Sequence, residues 1–251
     1  VLVEIIRHAV AQGQRVLASA PSNIAVDNLL EKLLNAGLKA VRMGHPARIL
    51  DSLRHATLSA LVTEHPDQKF ITELDEQRER LIHERTRAIH SGGSIGWDER
   101  RQIQKEINAL WQDARDMEYA IGRQILADAD VVLVTHGGIA KPILKKPFDL
   151  LIMDEASQAT EPLSWVPITQ ARKVVFAGDP LQLPPTIYSD EAKKQGLGYT
   201  LFERLQKMLP EEGQALLRIQ YRMHETIMGF SSQQFYGGAL EADASVRAHT
   251  V

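Results

Sequence analysis

Short, almost wholly apolar runs alternate along this chain with stretches whose apolar positions recur every three to four residues. The runs fall at residues 15–18, 39–43, 131–134, 150–153 and 174–177. Runs this short and this apolar suit strands buried on both faces of a parallel sheet. Between them the period is helical. Leu2, Ile5, Ile6, Ala9 and Val10 share one face of a first helix, and residues 29–34 read as a second that ends at Gly37. Strands separated by helices predict an α/β layered fold.

From Thr57 to Asp128 charged residues dominate and strand signals stop. Ile103, Ile107, Leu110, Ala114, Met117 and Ile121 are spaced four, three, four, three, four, which is a helix with a narrow apolar stripe. Ile71, Leu74, Leu81 and Ile82 predict a partner helix, with Ser91-Gly92-Gly93-Ser94 as the turn between them. A narrow stripe on a highly charged pair favours an antiparallel arm inserted into the sheet domain over a helical layer of the same core. After Gly213 a new apolar run, 215–219, leads into helix-compatible sequence and Tyr236-Gly237-Gly238. The expected organisation is a first domain in two parts, 1–56 and 129–213, a helical insertion at 57–128, and the start of a second domain at 214–251.

Composition narrows the class. An apolar content of 44% over 251 residues supports a full core. The net charge of -3 announces no nucleic-acid binder, so any such site is local. The chain has no cysteine, which excludes disulfides and thiolate-held metals and fits an intracellular, cytoplasmic setting. No apolar run approaches the roughly 18 residues of a membrane span, and no membrane partner is expected. Residue 1 is Val, and no capping residue precedes the first helix, so the chain reads as a fragment cut inside an element.

The chemistry gathers at strand ends. Leu150-Leu151-Ile152-Met153 runs into Asp154-Glu155, which delivers two carboxylates to the carboxyl end of a strand, where open α/β sheets bind ligands. Such a pair suits Mg²⁺, held by one carboxylate through water, and a base for an attacking water. A second apolar run ends in Gly178-Asp179, followed by Pro180-Leu181-Gln182-Leu183-Pro184-Pro185. Two prolines restrict that loop, and Gln182 both donates and accepts hydrogen bonds.

Asp154-Glu155-Ala156-Ser157-Gln158-Ala159, then Gly178 to Pro185, then Gln220-Tyr221-Arg222-Met223-His224 occur in that order. This chain resembles superfamily 1 helicases of the branch that includes the nonsense-mediated-decay helicase. Gly44-His45-Pro46-Ala47-Arg48 and the charged helical insert are part of the likeness, which covers nearly the whole chain. The resemblance implies a RecA-like P-loop NTPase sheet with the start of a second RecA-like domain. It implies ATP and Mg²⁺ as cofactors and single-stranded DNA or RNA as partner, handled by a monomer moving 5′ to 3′. By position it implies Asp154 for the metal, Glu155 as general base and Gln182 as γ-phosphate sensor. Tyr221 would stack on adenine, Arg222 would neutralise the transferring phosphoryl group, and Asp179 would belong to the nucleotide site. A remodelling protein without unwinding, or a scaffold on the same fold, stays open as an alternative.

The resemblance also implies contacts to the nucleic-acid strand at Pro21, Ser22 and Asn23 and at Thr135 and His136. Ser22 and Asn23 sit where they cap a helix or, with its first amides, bind a phosphate. The resemblance favours the phosphate. Such contacts position a strand without reading its sequence, and no aromatic-and-basic stripe points to sequence readout. His224-Glu225 lacks the second histidine of a zinc-protease helix, so no zinc is expected.

The phosphate loop Gly-x-x-x-x-Gly-Lys-Ser/Thr is missing, since no glycine here precedes a lysine. By the resemblance it would end just before Val1, and the later motifs would lie beyond Val251. This chain alone is therefore expected not to hydrolyse ATP. Turnover by the purified chain that disappears in Glu155→Gln would contradict this.

Overall fold

The computed structural model describes residues 1–90, 96–139 and 141–248. The chain opens with α1 (Leu2–Ala11), β1 (Val16–Ala20), α2 (Asn23–Asn35) and β2 (Ala40–Arg42). Then follow α3 (Leu58–Thr63), α4 (Gln68–His90), α5 (Trp97–Asp128), β3 (Val131–Thr135), β4 (Leu150–Met153), α6 (Glu161–Ile168) and β5 (Val174–Phe176). The remainder holds α7 (Asp190–Lys194), α8 (Leu201–Met208), β6 (Ile219–Gln220), α9 (Glu225–Phe235) and β7 (Glu241–Ala242). The chain divides into two compact units, 1–156 with 162–177 and 157–161 with 178–251.

In the first unit β2-β3-β1-β4-β5 form one parallel sheet, with Val16 opposite both Val131 and Leu150. All five residues of β1 are buried, as its apolar run predicts for a strand paired on both sides. Alternate residues Val16, Ala18, Ala20, Val131, Leu133, Leu150 and Ile152 pack with Ile6 and Ala9 of α1 and Val26, Leu30 and Leu33 of α2. One reading changes. The run at 174–177 was expected to be buried on both faces, yet β5 is only half-buried. It is one of the sheet's two edge strands, and unlike β2 at the other edge it is not covered.

The inserted helices form a hairpin, α4 against α5, joined to α3 by a separate core of Val62, Ile71, Ala114 and Ile121. The predicted stripe faces inward at Ile107, Ala114 and Ile121. The expected turn at 91–94 lies outside the described residues.

Arg42, in β2, is buried and pairs with buried Asp27 of α2, Nε to Oδ1 at 3.0 Å. Its Nη2 donates to Asn23 Oδ1 at 2.8 Å and its Nη1 donates to the Met43 carbonyl, while Asp27 Oδ2 accepts from Leu50 N at 3.1 Å. All three guanidinium nitrogens and both carboxylate oxygens of the pair thus make hydrogen bonds, the kind of compensation a buried ion pair requires.

In the second unit the short sheet is β6 beside β7, parallel. Of the apolar run 215–219 only Ile219 enters a strand, and Leu216 and Leu217 are exposed. Thr200 and Glu203 form a capping box on α8, and Arg204 grips Glu161 through two hydrogen bonds.

Removing one partner of the buried pair strands the other. Asp27→Ala should cost about 3–5 kcal/mol. The check is a lower urea midpoint with an unchanged slope; an unshifted midpoint would mean that the pair contributes nothing.

Candidate functional site

The parallel strands of the first unit all end on one edge, and the polar residues follow directly. Asp154 leaves β4 with its N–H on the Ser19 carbonyl at 2.8 Å, and Asp154 Oδ1 accepts from Glu155 N at 3.0 Å. Burial raises the Asp154 carboxyl above its ordinary value, opposed by the Glu155 N–H and by Lys32. Glu155 sits at φ 51, alone among described non-glycine residues in the left-handed region. Such a backbone costs roughly 1 kcal/mol or more and recurs at functional sites.

The loop after β1 holds Pro21, Ser22 and Asn23. Ser22 caps α2, accepting from Ala25 N at 3.2 Å, while Asn23 Oδ1 is held by Arg42. Guanidinium has only donors, so the Asn23 oxygen faces Arg42 and its NH₂ is directed elsewhere. At the end of β3, Thr135 is half-buried. His136 is the residue that follows. Its side chain is 0% exposed, with Nδ1 hydrogen-bonded to Ser19 Oγ at 3.0 Å. Burial pushes its pKa down to about 4, so it is neutral at pH 7. Gly138 is needed for packing, because a Cβ there would meet Thr135 Oγ1 and Val134 Cγ2 at 2.9 Å.

In the second unit Asp179 is a hub. Oδ1 accepts from Leu181 N at 3.0 Å, and Oδ2 accepts from Gln182 Nε2 at 2.8 Å and from the Tyr236 hydroxyl at 2.5 Å. Burial and the Asp179 carboxylate push the Tyr236 phenol up to about 12. Gln220 builds the next turn, its Oε1 accepting from Arg222 N at 2.8 Å and Met223 N at 2.7 Å. That turn leaves Tyr221 (65% exposed) and Arg222 on the surface.

Two members of these networks escaped the sequence reading. Ser19 is signalled only by being the one hydroxyl in an apolar strand, and Tyr236 by nothing local, since it reaches Asp179 across 57 residues.

A parallel sheet whose carboxyl edge gathers an Asp-Glu pair and two polar loops belongs to the α/β nucleotide-binding domains. Residues 1–190 match one family model described as an AAA domain, and residues 197–251 match a second of the same description. DNA-binding protein SMUBP-2 of Mus musculus is 36% identical over 99% of this chain and 25% of its own length. DNA polymerase alpha-associated DNA helicase A of Schizosaccharomyces pombe is 36% identical over 95% of this chain and 35% of its own. An uncharacterized ATP-dependent helicase of Methanocaldococcus jannaschii is 35% identical over 98% of this chain and 41% of its own. This chain belongs to the AAA-domain helicases of superfamily 1, and it spans between a quarter and about two-fifths of those relatives. The family implies ATP binding. Among the described residues no helix is long and apolar enough to cross a membrane.

The donor chemistry fits Mg²⁺. Two half-buried carboxylates, Asp154 and Glu155, follow β4 at the sheet edge, and Mg²⁺ takes one or two protein carboxylates and keeps several waters.

His136 makes stability depend on pH. Its pKa falls from 6.5 unfolded to about 4 folded, so the unfolded chain binds more protons inside that window. The stability is full above pH 6.5 and falls by about 3 kcal/mol as pH drops through the window. Urea midpoints at both ends should show a smaller loss in His136→Gln; an equal loss would contradict the assignment.

Proposed function

We propose that this chain carries half of the active site of an ATP-driven helicase that grips single-stranded DNA or RNA and moves 5′ to 3′. The observation that carries the reading is the anchoring of Asp154-Glu155 on Ser19, the residue that also holds the loop after β3. When bound, ATP would supply the phosphoryl group and Mg²⁺ would partly shield its negative charge. Asp154 would hold the metal. Glu155 orients the attacking water and takes its proton, and its left-handed backbone fixes where that carboxylate starts.

Phosphoryl transfer is mostly positioning and charge stabilisation. Arg222 answers the charge with its planar fork of donors. Gln182 senses the γ-phosphate, and Asp179 shapes the loop that carries it. Tyr221 offers an exposed ring to adenine. On the strand side Pro21, Ser22, Asn23 and Thr135 meet phosphate and sugar. A remodelling protein that hydrolyses ATP without unwinding fits the same residues.

The test uses a longer protein that joins this chain to a phosphate loop. Glu155→Gln should keep ATP binding and lower strand-stimulated turnover by a hundredfold or more, in the range of lost general-base catalysis. Unchanged turnover would sink the site. Displacement of a labelled strand by the same protein separates unwinding from remodelling.

A further inference from the structure

The arm's role is not set by the site above, and one face of it stands out. On α5, Trp111, Arg115 and Tyr119 follow at four-residue intervals, which places them on one face. They lie away from the hairpin core, which uses Ala114, Met117 and Ile121. Trp111 is 46% exposed and Tyr119 57% exposed. The Arg115 guanidinium lies 5.0 Å from the Trp111 ring centre and 5.5 Å from that of Tyr119, and its Nη2 donates to the Tyr119 hydroxyl at 3.2 Å. The three side chains therefore present a continuous stack of flat groups, prearranged and open to solvent.

Its position narrows the occupant. Lys141 acts electrostatically on Tyr119, and Lys141 follows the loop 135–138 by three residues. The Tyr119 end of the stripe thus lies within electrostatic reach of the segment that follows that loop. Arg123, one turn beyond Tyr119, is exposed as well.

Glu118 and Asp116 flank Arg115. Those carboxylates make the stripe a poor seat for phosphates, while flat faces accept any base. We propose that the Trp111–Arg115–Tyr119 face of the arm is a base-stacking site for single-stranded nucleic acid, continuing the strand's path beyond the loop after β3. The proposal rests on the strand-binding reading and adds a site to it. It gives the arm a sequence-tolerant grip, and the contribution is stacking rather than ion pairing.

The experiment measures binding of this chain to fluorescent oligothymidylates of about 5 and about 15 nucleotides, bracketing the span of typical single-strand sites. Trp111→Ala and Tyr119→Ala should each weaken the longer probe by roughly tenfold, the scale of one lost base stack. The shorter probe, which the loops alone accommodate, should bind as before. The slope of affinity against salt should not change, because no phosphate contact is lost. Trp111→Phe, which keeps a flat ring, should restore most of the affinity. A 15-mer carrying 5-iodouracil should photocrosslink to Trp111 or Tyr119.

Stripe variants that bind both lengths like the parent, with no crosslink on α5, overturn the proposal. A face that serves a protein partner gives that same pattern. The strand-binding reading is judged separately by Asn23→Asp, which keeps the acceptor for Arg42 and replaces the NH₂ by an anion. Loss of both lengths in Asn23→Asp alone leaves the reading standing and the stripe refuted. No effect in Asn23→Asp, with length-dependent loss in the stripe variants, refutes the loop contact and keeps the stripe. A parent chain that binds neither probe overturns both.

Discussion

The position of β1, hydrogen-bonded on both sides at the middle of the first unit, is the constraint on which the rest depends. A strand so placed has no exposed backbone, and every amide and carbonyl along it needs a partner. At Ser19 the carbonyl finds the Asp154 amide and the hydroxyl finds the His136 ring. One buried residue therefore sets the start of two loops, the one after β4 with the carboxylates and the one after β3 with Thr135. Any displacement of either loop is felt at Ser19, where an unmade hydrogen bond is costly.

The same edge is fixed from its other side by charge. Arg42 and Asp27 lie in the interior, where an ion pair is tolerated only with its remaining donors and acceptors used. They use them on Asn23, Met43 and Leu50, which orients the loop after β1 and both ends of the segment 43–50. Glu155 adds local backbone strain directly after Asp154. Rigid support around a strained residue is what positioning chemistry asks for.

Much of this was legible in the sequence, for identifiable reasons. The buried strands announce themselves because a run apolar on both faces has few other uses, and residues 150–153 match β4 residue for residue. The arm was legible from its narrow stripe. The order of strands in the sheet was not, nor which of its two edges is covered: β2 is buried and β5, read as fully buried, is half-exposed. Arg42 lay inside an expected strand, but its partner is set by how α2 packs. His136 was assigned by resemblance to the strand, and only its burial shows that it faces Ser19. The stripe on α5 was present in the four-residue spacing, yet composition drew the eye to charge. Tyr236 became visible only when α9 was brought to Asp179.

The central claim is that Asp154, anchored on Ser19, is the metal end of a nucleotide site. Paramagnetic broadening of amide signals by Mn²⁺ with ATP, in this chain extended by a phosphate loop, tests it most directly. The account predicts the strongest broadening at Asp154 and Glu155, weaker effects at Ser19, and loss of the pattern in Asp154→Asn. Broadening centred elsewhere, or unchanged in Asp154→Asn, would contradict it.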